Sequence, residues 1–510
     1  MDYDFVIVGA GSAGSVIASR ITEDASKSVL LVEAGPDYAT LEATPQDILN
    51  GHNNSYTQHD WGFVYKPNLT ARDDIPLPRG KVVGGSSAVN TCIALRGDPG
   101  DYDEWAELAG PEWAWEKCLP AFKRLETDRD IQNEWHGCDG PIPIRRYRDD
   151  ELVPFQAASM KAFAELGYPE CPDHNDPTTT GWGSHPMNKI DGRRMNAAMG
   201  YLAPARGRPN LTISPETHVR RVVIEGGEVR GVELLRDGAL ETVATRRVVL
   251  SAGSIMTPPI LVRSGIGDAR LIESLGISLV SDRPGVGARL FDHPGAVIGV
   301  RPLPEFDYAD PAAVPLIQTT LRYTAAGSDQ NNDMQIEPLS FLGFVPNTLL
   351  MGLAVVVERP VSHGHLEISS ADPFAWPRIT SNFLAEHWDI DRMVEGLRIS
   401  LEAIDSEPLA SMLQGIHWPS EEHLEDDEAL GAWARRASGS GYHPCGTAPM
   451  GHEDDQLAVC DQYGRVYGVK GLQIADASIM PNVPSANTNL PSIMIGERFG
   501  EWLRAGLDRT

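Results

Sequence analysis

Phe5-Val6-Ile7-Val8-Gly9-Ala10-Gly11-Ser12-Ala13-Gly14 opens the chain's first interpretable segment, and Ser28-Val29-Leu30-Leu31-Val32-Glu33 closes it. Two short apolar or β-branched runs, 5–8 and 28–32, flank a helix-compatible stretch at 14–22, which predicts a βαβ unit. The turn between the first strand and the helix has the spacing G-x-G-x-x-G. Its glycines permit a tight turn and close approach of a pyrophosphate, whose negative charge lies against the helix N-terminus. Glu33 stands nineteen residues beyond Gly14, at the end of the second run, where an acid accepts hydrogen bonds from a ribose hydroxyl. The glycine pattern alone has many false positives. Strand, turn, helix, strand and acid in this order point to a dinucleotide whose adenosine ribose lacks a 2′-phosphate.

The whole chain has 510 residues, 43 basic and 71 acidic, for a net charge of −28, and 42% of it is hydrophobic. That length allows two to four domains, and the composition is that of a soluble globular protein. No apolar run approaches the roughly 20 residues of a membrane span. The N-terminal residues lack the basic region, apolar stretch and cleavage site of a secretory signal, so a cytoplasmic location is expected. The charge disfavours nucleic acid, whose phosphates it would repel. Six dispersed cysteines without a C-x-x-C pair read as free thiols rather than a disulfide framework or zinc knuckle. No repeat or low-complexity tract is visible.

Further along, 219–224, 228–235 and 247–251 read as strands separated by Gly-Gly and Asp-Gly turns. From 310 to about 440 Pro-rich loops alternate with apolar strands such as 353–357, followed by helical patterns near 386–404 and 420–437, the texture of a second domain. The latter helix is expected to open at Ser420 and end near Arg435 and Arg436, with Glu425, Asp426, Asp427 and Glu428 on a solvated face. His363-Gly364-His365 offers two metal ligands and no evident third, so no metal site is assigned. No G-x-S-x-G nucleophile elbow is present.

A second glycine-rich loop, Arg79-Gly80-Lys81-Val82-Val83-Gly84-Gly85-Ser86-Ser87-Ala88-Val89-Asn90-Thr91-Cys92-Ile93-Ala94, and the segment Gly253-Ser254-Ile255-Met256-Thr257-Pro258-Pro259 running to Gly267 match the two signature patterns of the glucose-methanol-choline (GMC) oxidoreductases. Glu33-Ala34-Gly35-Pro36, Asp292-His293-Pro294, Tyr442-His443-Pro444, Ala475-Asp476-Ala477-Ser478 and Asn487-Thr488-Asn489 also resemble that family. The resemblance spans essentially the whole chain. It implies an α/β (α+β overall) fold: a Rossmann-like FAD-binding domain built from 1–155, 201–308 and 439–510, and a substrate domain from 156–200 and 309–438, with an antiparallel sheet flanked by helices. It implies FAD as cofactor, an alcohol as substrate, and dioxygen or another electron acceptor; a homodimer is left open.

The same resemblance puts proton handling on His443 and orientation of the hydroxyl on Asn487. A neutral imidazole with an ordinary pKa near 6.5 accepts a proton at physiological pH, whereas an amide orients without titrating. Expected cofactor contacts are Gly9, Gly11, Ser12, Ala13, Gly14, Glu33 and Ala34 in the first unit; Arg79, Gly84, Gly85, Asn90, Thr91, Cys92 and Ile93 in the second loop; and Val219, Ala252, Asp476, Ala477 and Thr488 beyond. Cys92 is given no nucleophilic role. Some family members tether FAD to a His just before the loop asparagine. Here that residue is Val89, which has no nucleophilic atom, so non-covalent FAD is expected. Trp61, Tyr442 and Glu337 are the substrate-side candidates; alternation puts Glu337 on the face of Gln335. Choline-oxidising members carry a Glu after Asp-His-Pro, and this chain has Gly295.

The function expected is oxidation of a small primary alcohol to the aldehyde, with possible onward oxidation to the acid. The competing reading is a hydroxynitrile lyase of the same family, which keeps FAD without redox. A flavin-binding module without catalysis is disfavoured by the presence of both His443 and Asn487.

Overall fold

The 5–35 segment forms the predicted unit in a computed structural model, which describes residues 3–56, 58–308, 313–342 and 348–506. Strand β1 (Phe5–Val8), helix α1 (Ser12–Ile21) and strand β2 (Val29–Val32) follow in order. Both strands are buried along their whole length. That burial explains why they read as continuous apolar runs rather than alternating ones. Strands β3 (Leu211–Ser214), β4 (Val248–Leu250) and β5 (Leu472–Ile474) complete a parallel sheet of spatial order β3-β2-β1-β4-β5. Connections leave β1 in opposite directions, which puts the Gly9–Gly14 turn at the crevice where such sheets bind ligands.

Between β3 and β4 the chain makes an antiparallel meander of His218–Glu225, Glu228–Arg236 and Ala239–Ala244. Two of these strands were predicted; the third was not. Ala239–Ala244 is almost entirely exposed and carries no apolar alternation, so only the Asp237-Gly238 turn before it, with φ of 50° and 76°, marks the hairpin. The expected strand at 247–251 is β4, and it pairs with β1 rather than with the meander.

A seven-stranded sheet holds Leu413–Trp418, Pro294–Pro302, Met351–Val357, Met334–Leu339, Thr319–Tyr323 and Gly181–Ser184 in that spatial order, with Gly439–Ser440 added beside Pro294–Pro302. All neighbours are antiparallel. Pro294–Pro302, placed above within the cofactor-domain segment 201–308, therefore belongs to this second sheet. Alternation gives the sheet two characters. Ile298, Leu321, Ile336, Leu353 and Val355 pack with Met393 and Leu397 of helix His387–Asp405. Gly295, Val297, Gln335, Glu337, Ala354 and Val356 fall on the opposite face.

The helix expected over 420–437 is two. Ser420 makes no side-chain cap and precedes one short helix, Glu421–Leu424. Asp427–Ala437 starts afresh, with the Asp426 carboxylate accepting from the Ala429 N–H. Asp426 thus serves as a cap while Glu425, Asp427 and Glu428 remain exposed. The six cysteines are free thiols. Among the described residues no helix is long and apolar enough to cross a membrane.

Candidate active site

A cavity of about 1000 Å³ extends from the carboxyl ends of β1 and β2 to the polar face of the seven-stranded sheet. At the first end the two glycine loops abut. The Gly84 N–H donates to the Ala10 carbonyl at 2.7 Å, and a Cβ on Gly85, whose φ is +54°, would lie 2.6 Å from the Gly11 Cα. Gly14 is packed tighter still, since a Cβ there would fall 1.9 Å from the Gly9 carbonyl oxygen. Glu33 borders the same space and accepts from the Ala10 and Gly35 N–H groups, both at 2.9 Å. Burial pushes its carboxyl up to about 7 despite those donors. Two glycine loops packed backbone to backbone, a helix N-terminus and an acid at the strand end suit a dinucleotide. These residues would hold the pyrophosphate and ribose of FAD.

At the other end the Asp292 carboxylate ties two histidines together. It accepts from the His293 N–H at 2.9 Å, the His443 N–H at 2.8 Å and the Ser440 hydroxyl. Burial raises its pKa to about 6. The His293 Nε2 lies 3.0 Å from the Pro484 carbonyl, its Nδ1 lies 2.9 Å from the His443 Nδ1, and the His443 Nε2 lies 3.1 Å from the Asn487 Nδ2. A carbonyl can only accept, which assigns the proton of neutral His293 to Nε2. Its Nδ1 must then accept, so His443 donates from Nδ1 and exposes a lone pair at Nε2. Burial, then the neighbouring His293 and Arg79, hold the His443 pKa well below its usual range. His443 is therefore neutral, with its basic nitrogen beside Asn487 on the cavity wall.

The remaining candidates divide. Asn90, Thr91, Ile93, Val219, Ala252, Ala477 and Thr488 line the cavity, as do Ser12, Ala13, Ala34 and Arg79. The Asp476 carboxylate also borders it but is engaged by the Gly253 N–H at 2.9 Å and the Thr257 hydroxyl at 2.6 Å. Cys92 is outside the lining. Its φ of 68° turns the chain so that the thiol is buried with Leu95 and Met187. Gly14 and Gly84 also lie outside and act through packing. Trp61 borders the cavity and stacks on Phe63 at 5.7 Å, so both of its anticipated settings, cavity and core, hold together. Tyr442 precedes His443 on the wall. Glu337 lines the cavity, accepts from Gln335 at 2.5 Å and lies 3.5 Å from His185.

Three residues carry no role in the sequence reading: Asp292, His293 and Glu358. The Asp-His-Pro triplet was visible as a motif, but nothing local says what it holds. Glu358 directly follows the apolar strand Met351–Val357, and it is only 2% exposed and lines the cavity.

Residues 3–295 match the N-terminal and 360–496 the C-terminal profile of the GMC oxidoreductases. The chain is 35% identical to the 5-(hydroxymethyl)furfural oxidase of Methylovorus sp. (strain MP688), covering 98% of both chains. It is 36% identical to oxygen-dependent choline dehydrogenase 1 of Chromohalobacter salexigens, covering 99% of this chain and 95% of that one. Among solved structures, pyridoxine 4-oxidase from Mesorbium loti superposes with a TM-score of 0.90 at 29% identity, covering 98% of each chain. The chain belongs to the GMC oxidoreductase family and is an FAD-dependent alcohol oxidase or dehydrogenase.

Proposed function

We propose that the chain oxidises a small primary alcohol to the aldehyde, with His443 Nε2 as the acceptor of the hydroxyl proton and Asn487 as its orienting partner. The observation that carries this is the run of distances from Pro484 through His293 to His443, which leaves a lone pair at Nε2 on the cavity wall. The hydroxyl displaces the Asn487 amide from Nε2 and receives its hydrogen bond on oxygen, so the O–H points at the base. Bound FAD supplies the acceptor for the hydride lost from carbon. In this reading 1–155, 201–308 and 439–510 hold the cofactor, and 156–200 with 309–438 hold the substrate, with 294–302 moved to the substrate side.

An aromatic or heteroaromatic alcohol is the favoured substrate. Gly295 brings neither charge nor side chain to the wall, where it pairs with Val356, and Val297, Ala354 and Leu339 continue it as an apolar surface. Two relatives are named for heterocyclic alcohols, hydroxymethylfurfural and pyridoxine. Choline therefore ranks below them, and a basic amino-alcohol that Glu337 can pair is second. An anaerobic screen tests this: benzylic and furanic alcohols should bleach the flavin with a higher kcat/KM than choline. A choline preference refutes the substrate assignment, and no bleaching by any alcohol refutes the redox reading in favour of a lyase.

A further inference from the structure

We propose that His443, His293 and Glu358 form a proton-accepting chain in which the Glu358 carboxylate balances the positive charge created when His443 takes the alcohol's proton. The proposal rests on the function assigned above and deepens it.

His443 faces a difficulty in that mechanism. Once Nε2 gains a proton the ring is a buried cation, disfavoured by its surroundings, with Arg79 and His293 adding to the cost. The geometry supplies an outlet. His443 Nδ1 is 2.9 Å from His293 Nδ1, and that same His293 nitrogen is 3.3 Å from Glu358 Oε2. Glu358 Oε2 is buried and has no hydrogen-bond partner, and among the described residues Glu358 pairs with no arginine or lysine. A buried carboxyl without a partner is costly, which makes it a candidate for a role during turnover. The proton balance is simple. The alcohol O–H bond breaks and an N–H bond forms at His443 Nε2. The proton on His443 Nδ1 passes to His293 Nδ1, leaving His443 neutral. His293 is then an imidazolium held between the Pro484 carbonyl and the Glu358 carboxylate.

Charged groups surround this chain, Asp292 first among them, whose carboxylate accepts from the backbone N–H groups of both histidines. Glu358 faces Glu337 from the adjacent strand, Arg322 from the strand beyond, and Asp101. Arg322 is tied to the carbonyls of His174 at 3.1 Å and Ser485 at 2.7 Å. Burial, with Arg359 (itself bound to Asp101 and Glu104) and Arg322 adding to it, holds the His293 pKa down to about 3, and this is the cost that the Glu358 carboxylate has to offset. His443 faces Arg79. Burial, with Glu337 and Asp101 adding and Arg322 opposing, pushes the Glu358 carboxyl up to about 8. Below that pH it is neutral and offers no counter-charge; above it the carboxylate is in place. Alcohol oxidation should therefore accelerate with rising pH through this range.

The test follows flavin reduction by a saturating alcohol in wild-type, Glu358→Gln and Glu337→Gln holoenzymes from about pH 6 to about 10, alongside NMR of ¹⁵N-histidine-labelled protein over the same range. In wild type the rate should rise about tenfold or more, as expected for gaining roughly one pKa unit of base strength, and imidazole signals should shift with the same midpoint. Glu358→Gln should lose both the rise and the shift. Glu337→Gln should keep the rise and move it to lower pH, because a like charge is gone. The proposal is overturned if Glu358→Gln keeps the wild-type pH profile, or if it raises KM and leaves that profile intact, the mark of a substrate contact. Failure of every alcohol to reduce wild-type flavin would defeat the assigned function instead, and the NMR titration would still report on the chain.

Discussion

His443 and Asn487 share one hydrogen bond, but they carry different chemistry, and substitution should separate them. His443→Ala removes the nitrogen proposed to take the proton. Flavin reduction by alcohol should fall by about 10²–10⁴-fold, the usual range for a positioned base, while the flavin stays bound. Asn487→Ala should fall less, since water can replace an orienting amide. Stopped-flow reduction of both variants checks this, and a wild-type rate in His443→Ala would remove the residue from the mechanism. Asp292 explains why the two histidines meet at all: one buried carboxylate collects the N–H groups of residues 150 positions apart. That anchor fixes the backbone from which both rings project, and the hydrogen bonds that set the tautomers depend on ring placement.

At the scale of elements, the second glycine loop has little freedom to vary. Gly85 has a positive φ and sits against the Gly11 backbone, so Gly85→Ala strains the turn and forces the two loops apart. Purified Gly85→Ala should contain markedly less flavin per polypeptide and melt several degrees lower than wild type, as loss of a bound ligand requires. Val89 gives the loop no covalent hold, so flavin in either protein should leave with acid. Absorbance of the supernatant after precipitation reads both effects; flavin that pellets with the wild-type protein would reveal a tether elsewhere. The seven-stranded sheet shows a complementary division of labour. One face is a hydrophobic core against helix His387–Asp405, and the other lends Glu337 to the cavity from alternate positions.

At the scale of the whole molecule, a buried ionic network backs the second glycine loop. His136 lies 2.9 Å from Glu126 and 2.7 Å from Asp173. Arg146 pairs with Asp128 at 2.9 Å and Asp173 at 2.6 Å, and Arg96 pairs with Glu126. The Arg96 backbone N–H also donates to the Asn175 side-chain oxygen, and the Asn175 amide in turn donates to the carbonyl of Ala94, the last residue of the loop. Burial pulls the His136 pKa down, but hydrogen bonds to Asp128, Asp173 and Glu126 raise it to about 10. Burial likewise opposes ionisation of Asp173, and His136 with Arg146 lowers it to about 2. A raised histidine stabilises fully below its unfolded value and loses that contribution as pH climbs through about 10. The depressed carboxylate stabilises above its unfolded value and fails as pH falls toward about 2. This network's contribution to the melting temperature should therefore be largest between about pH 4 and about 6.5, the ordinary values of the carboxylate and the imidazole, and decline on either side toward the folded values. His136→Gln should cost about 3–5 kcal/mol at neutral pH, the penalty for breaking a buried pair, and should lack the alkaline decline attributable to this group. Glu126, Asp128 and His136 have ligand atoms within 4.8 Å of one another, but the two arginines already supply the cations. A chelator should leave the melting curve unchanged; a fall would make this a metal site.

The amino-acid sequence by itself determined the βαβ unit, its pyrophosphate turn and the acid of β2, because each depends on residues within thirty-odd positions: a strand period, glycines where a backbone must pass closely, and an acid at the strand end. His443, Asn487 and Glu337 were candidates through motif likeness, and alternation put Glu337 on the face of Gln335 without saying that this face borders the cavity. Tertiary structure alone decided the rest. The exposed strand Ala239–Ala244 has no apolar pattern to read, and the break at Asp426 depends on one cap out of several acids. The meeting of Asp292, His293, Glu358, His443 and Asn487 depends on Pro294–Pro302 and Met351–Val357 lying side by side beneath the C-terminal segment. Sheet register brings residues together across long stretches of chain, and no local period encodes which strand will be the neighbour.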